Sequence, residues 1–322
     1  MKYLYSIFII ISLAFISCSD KEYSSRVSNN VKDNILKIGI LQLIEHDALD
    51  SSYRGFVDGL KEYGYEDGKN IIIDYQNAQG EQANCVTIAQ KFVNDKSDLI
   101  LAIATPAAQA VANITKDIPI LITAVTDPAD SKLVKDNNAP GGNVTGTSDL
   151  TPVREQIDLL KKLIPSAKKI AFLYNSSEQN SIFQINIAKQ KADEIGLIFM
   201  DATITNPNDI QQVVQSLVGK VDAIYVPTDN MVSAGMANVI SITEPAKMPV
   251  ICGEVGMLNA GGLATYGISY YELGKLTANQ AIKIIKGEAT PSTMPIEYTK
   301  TPVLDINTNA ANRLDIEIPS DL

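Results

Sequence analysis

The chain has 322 residues, a formal net charge of -10 and a single histidine. An acidic surface repels phosphate backbones, which excludes nucleic acid as a partner. A lone histidine cannot build a metal site without further ligands, and nothing in the composition calls for a cofactor.

The first seventeen residues carry one charge, Lys2, ahead of the apolar runs Ile7 to Ile11 and Leu13 to Ile16. That stretch is too short to span a bilayer and reads as a signal peptide over 1–17. Phe15-Ile16-Ser17-Cys18 then fits a bacterial lipoprotein cleavage site, with acylation (a palmitate-bearing anchor) at Cys18. Plain secretion with an incidental cysteine is the other reading. Residues 18–34 are polar and poor in large aliphatics, so they cannot bury enough surface to repay ordering and read as a flexible tether.

The folded part opens with the apolar run Leu36 to Leu41, followed by Tyr53, Phe56, Val57, Leu60 and Tyr63 at helical spacing. Asn70 to Tyr75 predicts the next strand and Val86 to Val93 the next helix. Leu99 to Ala104, a helix opening at Pro106, and Ile118 to Thr123 continue the alternation. The second half repeats it: strand Lys169 to Tyr174, helix Ser181 to Ile195, strand Leu197 to Met200, helix Asp209 to Val218, then strands Ala223 to Val226 and Pro249 to Cys252. The pairs Ile38 and Ile170, Ile100 and Ile224, Ile120 and Val250 recur at similar separations, which marks a duplication. Near-continuous aliphatic strands between amphipathic helices imply parallel sheets covered on both faces.

The expected fold is therefore α/β, with two doubly wound parallel-sheet lobes joined by a three-segment hinge. Lobe 1 takes 35–147 with 270–298, and lobe 2 takes 148–269 with 299–322. Gly141 to Ser148 and Gly261 to Gly267 read as extended crossings between lobes. A helix from Tyr271 to Lys286 returns to the first lobe, and a short one from Asn307 to Leu314 closes the second. Cys85 and Cys252 fall in different halves and read as core residues rather than a disulfide.

Open parallel sheets bind ligands beyond the carboxyl ends of their strands. That places candidate ligand-binding residues Gln42, Glu45 and His46 in the first loop. Thr105, Ala107 and Gln109 follow at a helix start, where Thr105 reads as the N-cap and Pro106 as the first helical residue. Thr126 and Asp127 sit in the third loop. On the other half, Ser177, Asn180 and Ser181 belong to a hydroxyl-rich helix start in which Ser176 and Gln179 also fit a capping box. Asp229, Asn230 and Glu254 complete the set. An amino acid needs a carboxylate for its ammonium group; Asp229 is favoured over Asp127 and Glu254, although each also suits a cap or turn. His46 faces either ligand or solvent. Tyr174, Tyr225, Tyr266 and Tyr270 form an aromatic wall or pack the core. No nucleophile elbow, zinc-helix motif, phosphate-binding glycine loop or cysteine pair is present, so an enzyme is not expected.

Nearly the whole exported chain resembles the ABC-transporter substrate-binding lipoproteins of the tryptophan/tyrosine type, on the type I periplasmic-binding fold. The resemblance is carried by Ile38-Gly39-Ile40-Leu41-Gln42 with Glu45-His46, Gly55 to Leu60, Gly68-Lys69-Asn70, Asn77 to Gly80, Ala104 to Gln109, Val125 to Pro128, Gly141 to Gly146 and Pro227 to Asn230. It implies binding without turnover, an aromatic amino acid as the leading small-molecule ligand, and a membrane permease with a separate ATPase as partner. The other readings are a ligand-sensing lipoprotein that signals to a membrane receptor, which the same fold would serve, and binding of a different small polar solute.

Overall fold

The computed structural model describes residues 35–299 and 301–322, so the expected signal peptide, Cys18 and the tether lie outside the described residues. The strands in chain order are β1 (Leu36–Gln42), β2 (Ile71–Asn77), β3 (Leu99–Ile103), β4 (Ile120–Val125), β5 (Val144–Ser148), β6 (Lys169–Asn175), β7 (Ile198–Ile204), β8 (Ala223–Val226), β9 (Val250–Cys252), β10 (Ala264–Gly267), β11 (Glu297–Tyr298) and β12 (Val303–Ile306). They form two six-stranded sheets, ordered β11-β5-β4-β3-β1-β2 and β12-β10-β9-β8-β6-β7. The orders match position for position, which is the duplication read from the sequence.

Central strands such as β3, with Leu99, Ile100, Leu101, Ala102 and Ile103 all buried, are aliphatic throughout because helices cover both faces. The edges are less protected: Ile198 is 63% and Val303 68% exposed. β12 pairs antiparallel with β10, so the second sheet is not wholly parallel as expected.

The helices are α1 (Asp47–Glu62), α2 (Gln82–Asn94), α3 (Thr105–Ile114), α4 (Val153–Leu163), α5 (Gln179–Glu194), α6 (Asp209–Leu217), α7 (Asn230–Ala234), α8 (Met236–Thr243), α9 (Val255–Asn259), α10 (Tyr270–Ile285) and α11 (Thr308–Arg313). In α1, Leu49, Phe56 and Leu60 are buried at helical spacing. The helix lies so close to α10 that a Cβ on Gly55 would stand 2.0 Å from the Tyr271 carbonyl oxygen, and one on Gly274 would stand 2.1 Å from that of Ser52. Glycine is what lets these two backbones touch. No helix among the described residues is long and apolar enough to cross a membrane.

Gly141 to Ser148 and Gly261 to Gly267, expected as crossings, instead supply β5 and β10, because their Val-Thr and Ala-Thr pairs complete each sheet. The chain passes between sheets just beyond them, at 149–152 and at Ile268 and Ser269, and a third time between β11 and β12. The first two passages are tied together, Tyr270 Oη donating to Asp149 Oδ2 at 2.8 Å. Cys85 and Cys252 are buried and unpaired.

Candidate functional site

The carboxyl ends of the two sheets face each other, and their loops enclose a cavity of about 10 Å³, room for roughly one water. From the first lobe it is lined by His46 and Leu49 at the start of α1 and by Ala124 and Thr126 at the end of β4. The second lobe contributes Asn180 from α5, Thr228, Asp229 and Asn230 after β8, Ser233 from α7 and Glu254 after β9. Asp149 and Tyr270 enter from the first two crossings.

Several polar contacts cross the cleft. Thr126 and Thr228 hydroxyls stand 3.3 Å apart, His46 Nε2 is 3.4 Å from Asn230 Oδ1, and Gln184 Nε2 is 3.4 Å from Thr126 Oγ1. At the rim, Gln179 Nε2 donates to Asp130 Oδ2 at 2.9 Å and Asn259 Nδ2 to Asp47 Oδ2 at 3.2 Å. Ile44 packs against the apolar cluster of the second lobe that contains Met231. Among the described residues no ion pair joins the lobes. Long, mostly neutral hydrogen bonds are individually weak, so parting these faces costs little.

His46, Thr126, Asn180, Asp229, Asn230 and Glu254 therefore stand where the sequence placed them, on the cavity wall. The other candidates do not. Gln42 is buried beneath the loop, its Nε2 donating to Asp50 Oδ1 at 2.7 Å and to the Ile44 carbonyl. Glu45 and Ser177 are exposed. Ala107 is packed in the first core, and Gln109 donates to the Ser131 carbonyl. Thr105 is not an N-cap: Ala104 occupies that position at a φ of 84°, and Thr105 is the first helical residue. Likewise Glu178, not Ser176, precedes the first residue of α5, so the capping box does not form. Ser181 lies behind the wall, donating to Asp229 Oδ2 at 2.6 Å. Of the tyrosines only Tyr270 reaches the cavity; Tyr225 is core, its hydroxyl donating to Gln156.

Of the three carboxylates proposed for an ammonium, Asp229 and Glu254 have both oxygens occupied and Asp127 has one. Asp229 Oδ1 accepts from the Val232 amide, and its Oδ2 accepts from the Asn175 amide and Ser181. Asp127 Oδ1 accepts from the amides of Ala129 and Asp130 and from Asn137. Glu254 accepts from Ser233 Oγ and from the amides of Gly256 and Met257. In each case capping outcompetes the cleft, as local side-chain to backbone bonds do at helix starts.

Two further acids escaped the sequence reading. Glu178, 3% exposed, accepts from the side-chain amides of Asn180 and Asn230 and from the backbone amides of Asn230 and Met231. Burial and the nearby Asp229 push it up to about 8. Asp149, 4% exposed, is pushed up to about 6 by burial, against the pull of the Tyr270 and Thr126 hydroxyls. Burial also drives His46 down to about 4, so its ring is neutral at ordinary pH, although part of its edge is exposed.

A much larger groove, about 1220 Å³, runs between α1 and α10 on one side and α9, β10 and β12 on the other, and shares Glu254 and Tyr270 with the cavity. It is open, and none of its lining residues carries a buried polar atom without a partner. The interlobe cavity has three such residues, His46, Asp149 and Asn180, and is the better site on that ground.

The sequence model for the family described as ABC transporter substrate binding protein matches residues 37–322. The chain belongs to this family. Family membership makes substrate binding its activity, on the type I periplasmic-binding fold. This family member is 41% identical over 303 residues to a Tyrosine-binding protein of Clostridioides difficile (strain R20291), covering 93% of this chain and 88% of that one. It resembles the structure of a Streptococcus pneumonia ABC domain in complex with L-Trp, at 40% identity and a TM-score of 0.86, over 89% of this chain and 96% of that one. A ligand-free, open structure of a Clostridium difficile substrate binding protein is 46% identical over 89% of this chain and 97% of that one, yet superposes with a TM-score of only 0.67.

Proposed function

We propose that this substrate-binding protein takes up an aromatic amino acid of the tyrosine or tryptophan class between its lobes and delivers it to an ABC permease driven by a separate ATPase. It would work outside the cytoplasm, held at the membrane by a lipid on Cys18. The observation that carries the reading is the small polar cavity, built from both lobes and two crossings, in a chain close in sequence to a protein solved with L-Trp.

The mechanism follows from that placement. The lobes are joined by three short passages and meet through weak contacts, so the chain can open without unfolding either core. A ligand that touches both walls stabilises the closed arrangement and shifts the population toward it. The poorer superposition on an open relative of higher identity supports such a hinge, because sequence divergence does not account for it. In the closed form the cavity holds about one water, so an aromatic ligand enters while the lobes are apart and defines their final separation.

Calorimetry and thermal denaturation with the twenty amino acids test this. L-tyrosine or L-tryptophan at a hundredfold over its Kd should add about 2.7 kcal/mol to the unfolding free energy. Failure of every amino acid to bind or stabilise would remove the amino-acid assignment.

A further inference from the structure

The unpartnered atoms around the cavity share one chemical character. Asp149 hangs from the first crossing between β5 and α4; its Oδ2 accepts from Tyr270, and its Oδ1 is buried with no partner of good hydrogen-bond geometry, although the Thr126 hydroxyl also bears on the carboxyl group. Asn180 has its orientation fixed, because Nδ2 donates to the Thr228 carbonyl at 3.0 Å and to Glu178 Oε2 at 3.1 Å. Its Oδ1 is the atom left over, buried and unpartnered. Asn230 gives its side-chain nitrogen to Glu178, so its Oδ1 faces His46 Nε2 as an acceptor. The neutral ring then donates from Nε2, and the remaining Nδ1 is a lone pair, also buried and unpartnered.

Three residues that line the same small space each carry a free buried acceptor, one of them on a carboxyl group. Buried acceptors of this kind call for a donor, and a buried carboxylate calls for a positive charge. An ammonium supplies both, with three N–H groups and no lone pair of its own; a ligand carboxylate there would be repelled. Asp229 and Glu254 have no such vacancy, since both oxygens of each bind amides and hydroxyls of their own lobe, and Asp127 lies outside the cavity lining.

We propose that the ligand's ammonium group docks on Asp149, with Asn180 and His46 as its further acceptors, so that the cation is anchored at the hinge rather than on the face of either lobe. This rests on the amino-acid reading above. Glu178 is the positioning residue, holding Asn180 and Asn230 so that their oxygens point the way this subsite needs. Because Asp149 and Tyr270 join two of the three crossings, a cation there contacts the axis about which the lobes turn.

Calorimetry near neutral pH with L-tryptophan, tryptamine and indole-3-propionate, the last lacking the ammonium, tests the assignment on the wild-type chain, Asp149→Asn and Asn180→Ala. The asparagine keeps an oxygen for Tyr270, and melting curves report whether each variant is folded. Asp149→Asn should weaken tryptophan and tryptamine by at least about 30-fold. Asn180→Ala should weaken them by about tenfold. Indole-3-propionate should be unaffected by either change. Equal losses with and without the ammonium, or no loss, would overturn the subsite while leaving amino-acid binding in place. Asp149-dependent binding of tryptamine with no amino acid bound would keep the subsite and remove the amino-acid reading. A wild-type chain that binds none of the probes would overturn both.

Discussion

Glu178→Ala is expected to lower the unfolding free energy by about 3 to 5 kcal/mol and to abolish detectable amino-acid binding. The side chain is buried and accepts five N–H groups from four residues, Asn175, Asn180, Asn230 and Met231, all from segments that shape the cavity. Truncation leaves those donors facing nothing, each costing about 1 to 3 kcal/mol less whatever entering water recovers. It also frees Asn180 and Asn230 to turn, so the acceptors that face the cavity lose their fixed direction. Urea unfolding and calorimetry read the two losses separately; a variant as stable and as tight as wild type would contradict the role.

Glu178→Gln keeps the shape and isolates the charge. The folded chain holds a proton on Glu178 up to about pH 8, whereas the unfolded chain gives it up near its ordinary value of 4.5. This group's contribution to stability is therefore present at low pH and is lost as pH rises through that window. Wild type should lose stability between about pH 5 and 8 relative to the Gln variant, measured as the difference in melting temperature; parallel pH profiles would speak against it.

Affinity for an aromatic amino acid is expected to fall about tenfold for each pH unit below about 6. Burial raises Asp149 from 3.8 to about 6 in the free protein, and an ammonium binds only its ionised form. Acid therefore makes the ligand compete with a proton. The ionisable groups lining the cavity beside Asp149 are His46 on the first loop, Asp229 after β8, Glu254 after β9 and Tyr270 on α10. His46 takes up a proton only near pH 4, and burial keeps the Tyr270 hydroxyl protonated far above neutrality. Burial also raises Asp229 and Glu254. Comparison with Asp149→Asn separates their share, since that variant should lose most of the decline below pH 6. A pH profile equally steep in the variant would move the effect to one of those two acids.

The architecture was legible because it is written in long-range repetition. Aliphatic strands such as Ile38 to Leu41 and Lys169 to Tyr174, with amphipathic helices between them, leave few alternatives to duplicated parallel sheets. The crossings were read one segment early. Val144-Thr145-Gly146-Thr147-Ser148 has the glycines and hydroxyls of a linker, yet it is buried as β5, and the passage begins at Asp149. That shift concealed the acid with a free oxygen. Asp229 had the right loop, but the spacing that places it there is also that of a helix cap, and the backbone amide of Val232 claims it. Glu178 is one acid in a helix start whose hydroxyls and amides drew the sequence reading, and the packing of α5 against the loop after β8 buries it. What a residue faces across two lobes is set by tertiary contact, which no local pattern encodes.

A structure of the protein with L-tryptophan or L-tyrosine bound tests the central claim most directly. The account predicts the amino acid enclosed between the sheets, its ammonium within hydrogen-bonding distance of Asp149 Oδ1 and Asn180 Oδ1. A ligand seated in the groove beside α10, or held by one lobe with Asp149 untouched, would contradict it.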